Sequence, residues 1–95
     1  MLLAGFMPGN AAAHSGSTYI VCNLDQDGGG YLALRACGAN TCEHLMNLAT
    51  NTRLQALEPY SGNSWREVTV LSGKYNLPVG PDGWVNDKYI CEVAD

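Results

Sequence analysis

Four cysteines, Cys22, Cys37, Cys42 and Cys91, are the side chains of this 95-residue chain best suited to chemistry. Cys37 and Cys42 have the spacing of a zinc knuckle, and Cys22 with Cys91 could complete a four-thiolate site. Against zinc, those two stand singly in apolar stretches and form no second knuckle. Two disulfides account better for the four if the chain is exported, although spacing does not choose among the three possible pairings. Cys42 also stands two residues before His44, so on an extended segment thiol and imidazole would share a face. Nothing in the sequence orients that imidazole, and a strand-rich chain of this size promises no closed apolar pocket. His44 therefore reads as a solvated surface residue and the chain as non-enzymatic. His14 has no candidate partner.

Asn23, Asp25 and Asp27 in "NLDQDGGGYLAL" alternate as calcium-loop ligands do. The position that should supply the bidentate acid is Leu34, and the flanks read as strands, so the segment is expected to be a turn. No metal or cofactor is expected.

The elements around these residues are short apolar runs punctuated by Gly, Asn, Asp and Pro, the pattern of a small all-β domain. "TYIVCNL" reads as a first strand and "YLALRA" as a second, with Leu32, Leu34 and Ala36 on one face and Tyr31, Ala33 and Arg35 on the other. "EHLMNLA" is read as extended. "TRLQALEPY" and "SWREVTVL" read as a hairpin turning at Ser61-Gly62-Asn63, "SGKYNLPVGPDG" as a long loop and "GWVNDKYICEV" as the closing segment.

Residues 1–13, "MLLAGFMPGNAAA", are apolar and end in a small-x-small triplet, as a signal peptide does, though without its charged start. Residues 14–18 read as a flexible lead-in and 19–95 as one domain. No apolar run is long enough to span a membrane. With 46% hydrophobic residues the chain can build one modest core, which in so small a domain gains from cross-links. The net charge of −4, with five scattered basic residues and no basic stripe, argues against nucleic acid as a partner.

Taken together, Leu32, Leu34 and Arg35, then Thr52, Leu54, Ala56, Leu57 and Glu58, then Trp65 and Val68, and finally Gly83, Trp84, Val85, Tyr89 and Ile90 resemble the bacterial Src homology 3 (SH3b) family. The resemblance runs from about Tyr19 to Val93. It implies a small SH3-type β-barrel of five to seven short antiparallel strands, with a 3-10 turn at "NDK" before the last strand. Trp84 and Tyr89 would then present aromatic surface while Val85 and Ile90 enter the barrel. Because the terminal strands of such a barrel are neighbours, it also implies the pairs Cys22–Cys91 and Cys37–Cys42.

The function implied by the resemblance is non-catalytic binding of peptidoglycan or its peptide stems by a periplasmic or secreted monomer, without membrane insertion. Tyr31, Tyr60, Trp65, Trp84 and Tyr89 match the family's aromatic ridge or flank its loops, and Asn40 with Asn86 could add hydrogen bonds. Trp65 and Trp84 serve equally well as caps on the barrel core. Asn86 stands where the eukaryotic domains place a groove proline, which removes one wall of a slot for proline-rich ligands. The alternative function is an exported adaptor or inhibitor that grips a cell-envelope protein through the aromatic groove and the 73–83 loop, whose Tyr75, Leu77, Pro78 and Val79 form an apolar tip.

Overall fold

The computed structural model describes residues 17–59 and 63–93. The signal-like segment, His14 and Tyr60 lie outside the described residues. Seven strands follow one another: β1 (Thr18–Val21), β2 (Leu32–Arg35), β3 (His44–Leu48), β4 (Arg53–Ala56), β5 (Trp65–Ser72), β6 (Leu77–Asn86) and β7 (Ile90–Glu92). Two 3-10 turns, η1 (Leu24–Asp27) and η2 (Asp87–Tyr89), are placed after β1 and before β7. All pairings are antiparallel, and the strand order β3-β2-β6-β5-β4-β1-β7 makes one sheet that curls into a half-barrel of SH3-like plan.

The curl follows from alternation along the strands. Leu32 and Leu34 of β2 point inward, as does Leu54 of β4, and they meet Val21, Leu48, Val68, Val70 and Val85 in one buried cluster. Leu24 of η1 also belongs to it, and Tyr89 and Ile90 pack against it from the last turn and strand. Along β2 and β4 the inward residues alternate with more exposed ones, so a one-residue slip in register there would carry their apolar residues toward solvent.

The expected neighbours at the termini are adjacent: Ile20 of β1 pairs with Cys91 of β7. Cys22, just past β1, is bonded to Cys91 with their Cα atoms 6.0 Å apart. Cys37 and Cys42 are bonded across the loop between β2 and β3, Cα to Cα 5.5 Å. No free cysteine is left among the described residues.

Two readings need correction. The segment read as a long loop is a four-residue turn followed by β6, whose first residue is Leu77. Its breakers serve a bend. Val68 of β5 opposes Gly83 while Val70 opposes Val79, so Gly80, Pro81 and Asp82 of β6 face Thr69 alone. This bulge turns β6 from the hairpin tip into the barrel wall, and the buried Thr69 hydroxyl donates to the Asp82 carboxylate across it. Pro78 and Pro81 lack an N–H, so a foreign strand could not lay an unbroken ladder along this stretch.

The second correction concerns the β4–β5 connection. The two strands pair as expected, Ala56 opposite Val68, but β4 ends at Ala56, earlier than read from sequence, β5 begins at Trp65, and Ser61 and Gly62 of the expected turn lie outside the described residues. Arg66 Nη2 lies 3.1 Å from Glu58 Oε2 and its guanidinium stands 5.7 Å from the centre of the Tyr19 ring, so Arg66 ties this connection to β1. Thr18, the first residue of the "TYIVCNL" strand, opens β1 opposite Gln55.

Candidate binding groove

The outward face of β2 carries Tyr31 at its approach, then Ala33 and Arg35. These residues form one side of a groove of about 330 Å³. It is also lined from distant parts of the chain, by Asp27 at the end of η1, Gly29 just past it, Trp65 at the start of β5, and Asn86 and Tyr89 at η2. Asn40, from the disulfide loop, also lines it, as do Leu24 and Leu32 of the core cluster.

Of the seven residues singled out from sequence, the structure brings Tyr31, Asn40, Trp65, Asn86 and Tyr89 to this groove. Trp84 does not line it. Its ring lies beneath the disulfide loop, where a Cβ added to Gly38 would stand 3.3 Å from Trp84 Cε3 and 3.1 Å from Trp65 Cβ. Both tryptophans therefore support the loop, and Trp65 alone also lines the groove. Tyr31 is the most open of the aromatic lining residues named for exposure, with 65% of its surface accessible.

The two 3-10 turns are fastened together at the groove's rim. Tyr89 Oη donates to Asp27 Oδ2 at 2.5 Å, and Lys88 Nζ lies 3.2 Å from the same oxygen. Lys88 also stands 5.4 Å from the centre of the Tyr89 ring. The tyrosine hydrogen bond first, and the lysine second, hold the Asp27 carboxyl below its usual range. The same contacts raise Lys88 and Tyr89, since each gives up its proton less readily while donating to Asp27. Asn23 adds a longer contact, Nδ2 to Lys88 O at 3.4 Å, and the Cys22 N–H donates to Tyr89 O at 2.9 Å. Asn86 caps η2 by accepting the Lys88 N–H on its side-chain oxygen at 3.0 Å. Its amide thus has a local task before any ligand is considered.

The other wall is held by sulfur. The Cys37–Cys42 bond closes the loop, and Arg35 Nη1 donates to Cys42 O at 3.0 Å. The Ala36 N–H donates to Glu43 O at 2.9 Å, which fixes the loop's base.

These contacts also occupy the cysteines and the acid of the first turn. All four sulfurs are consumed in disulfides, so there is no thiolate set for zinc and no thiol at Cys42 to act beside His44, which lies exposed on edge strand β3. Asp27 spends its carboxylate on Tyr89 and Lys88, and among the described residues no three His, Cys, Asp or Glu side chains are grouped as metal ligands. "LDQD" is a 3-10 turn, followed by Gly28, Gly29 and Gly30, all at positive φ.

Asp27 and Arg35 are the charged groove residues that sequence reasoning missed as site residues. Arg35 lies on the outward face that alternation of β2 defines, which was a usable signal. Asp27 had none, because its partner Tyr89 is 62 residues away.

Comparison with protein-family profiles, curated proteins and solved structures gave no match to this chain. The geometry of the groove therefore carries the functional argument.

Proposed function

We propose that this chain is a non-catalytic, exported binding module of the SH3b kind that recognises peptidoglycan through its peptide stems. The observation that carries the reading is the groove itself: aromatic faces from Tyr31, Trp65 and Tyr89, side-chain amides from Asn40 and Asn86, and one charge of each sign, Asp27 and Arg35. A short peptide needs that combination, apolar faces for its side chains and amides for its backbone, and a shallow groove suits it better than a closed pocket would. Two disulfides in so short a chain suit an oxidising compartment outside the cytosol. They also make the groove stiff on both sides, which lowers the ordering cost of binding.

Retention on purified peptidoglycan sacculi is the test. The wild-type chain is expected to sediment with sacculi, and Tyr31→Ala, which removes an exposed ring and no core contact, is expected to lose most of that retention. Wild-type retention no greater than that of an unrelated acidic protein would refute the reading.

A second reading is supported by the β5–β6 hairpin. Tyr75 is 74% exposed, Leu77 60% and Val79 41%, a group of apolar side chains at one tip that a wall ligand does not require. An adaptor or inhibitor that docks a cell-envelope protein there would keep its partner in Tyr31→Ala and lose it in Leu77→Asp.

A further inference from the structure

The charges in the groove are not equivalent. Asp27 already has two donors, the Tyr89 hydroxyl at 2.5 Å and the Lys88 ammonium at 3.2 Å, so its negative charge is matched inside the protein. Arg35 has no such match. Among the described residues its guanidinium donates to a neutral backbone carbonyl, Cys42 O, and no carboxylate lies within ion-pair distance of it. A guanidinium carries five N–H donors in a planar fork, and a single contact with Cys42 O leaves most of them unused. The groove is thus left with one uncompensated positive charge in a protein whose net charge is −4.

The position of that charge is fixed. The Cys37–Cys42 bond holds the loop that carries the Cys42 carbonyl, the carbonyl holds Nη1, and β2 holds the Arg35 backbone opposite Trp84 of β6. An arginine held this way loses little freedom when it accepts a partner. The partner its fork fits best is a carboxylate or a phosphate. A phosphate brings more negative charge than one guanidinium matches. A single carboxylate next to a small apolar side chain meets both the fork and the aromatic faces of Tyr31 and Trp65.

We propose that the groove is a receptor for the free C-terminal carboxylate of a short peptide, which Arg35 receives while the residue before it rests on the aromatic wall. The inference rests on the stem-peptide reading above and narrows it: uncrosslinked stems, whose terminal carboxylate is free, are the form bound.

The test compares two probes on the full chain, an alanine-terminated stem pentapeptide as the free acid and the same peptide as its C-terminal amide, titrated by calorimetry or by amide chemical shifts. The acid is expected to bind about ten-fold tighter or more, the size of one charge-assisted contact, and the preference is expected to shrink as salt is raised. In Arg35→Gln, which retains a donor for Cys42 O, the acid and amide are expected to bind alike. Equal binding of acid and amide to the wild-type chain overturns the proposal, as does an acid preference that survives unchanged in folded Arg35→Gln. Should that variant fail to fold, the wild-type comparison decides alone. Sacculus retention together with equal peptide binding would remove the carboxylate receptor and leave wall binding standing. Acid preference without sacculus retention would do the reverse.

Discussion

Gly83 of β6 lies directly against Leu34 of β2, so that a Cβ built on Gly83 would stand 2.7 Å from Leu34 Cγ and 2.9 Å from the Arg35 carbonyl oxygen. Leu34 is fully buried and Arg35 O belongs to the backbone, so neither can move aside cheaply. The absent side chain is what allows β6 to cross β2 and bring Trp84 opposite Arg35. Gly83→Ala is therefore expected to destabilise the fold by about 1–3 kcal/mol through overpacking. Urea denaturation checks it, and a midpoint equal to wild type would mean that β2 and β6 separate freely.

The Asp27–Tyr89 contact has a pH signature. Asp27 is held below its ordinary value chiefly by the Tyr89 hydroxyl and next by Lys88, so the ionised carboxylate is favoured in the folded state. A depressed carboxyl contributes its stability above the unfolded-state range and loses it as pH falls through the folded value. Acidification should therefore loosen the η1–η2 clasp before the barrel unfolds. Tyr89→Phe removes the largest cause, and the Asp27 carboxyl resonance, followed by NMR, should titrate closer to its ordinary value. An unchanged titration midpoint would show that the hydroxyl does not reach the carboxylate in solution.

These two contacts mark the limits of what could be read along the chain. β2 was legible because Leu32 and Leu34 alternate with Ala33 and Arg35, and the apolar face of such a pattern has one place to go. Likewise Asp87–Tyr89 fell where the resemblance put a 3-10 turn. The first half of β6 was not legible. Pro78, Gly80, Pro81 and Gly83 argue for a loop by every local rule, and they form a strand because that strand must bend sharply and then approach β2 closely. The groove divided in the same way: its aromatic residues were visible by type, whereas Asp27 joins it through a contact with Tyr89 that no local pattern announces.

The two disulfides should differ in what they stabilise. Cys22–Cys91 links positions 69 residues apart and joins the first strand to the last. On the chain-entropy model it contributes about 4 kcal/mol, and Cys37–Cys42, which closes a short loop, about 2 kcal/mol. The double replacement Cys22→Ser with Cys91→Ser is expected to lower stability by the larger amount. Cys37→Ser with Cys42→Ser is expected to leave the barrel folded but free the loop over Trp65 and Trp84, which tryptophan fluorescence would report. A greater stability loss from the short loop than from the long one would reverse this order. Intact mass should lie about 4 Da below that of the reduced chain.

The Thr69–Asp82 contact stabilises the bend of β6 asymmetrically. Thr69 is 5% exposed, so its hydroxyl has little access to water, while Asp82 is exposed and its carboxylate can be hydrated if its donor is lost. Asp82→Ala leaves a buried donor without its partner and is expected to cost about 1–3 kcal/mol. Thr69→Val removes the donor, nearly preserves the shape and leaves the carboxylate to solvent, so it should cost less, about 1 kcal/mol. With both changes made, the loss should fall short of the sum of the two, because each alone breaks the same hydrogen bond. Denaturation of the two single variants and the double variant measures that coupling. Strict additivity would mean that the bend is held by Pro81 and Gly80 alone, and the exposed tip carrying Tyr75 and Leu77 would then owe nothing to Thr69.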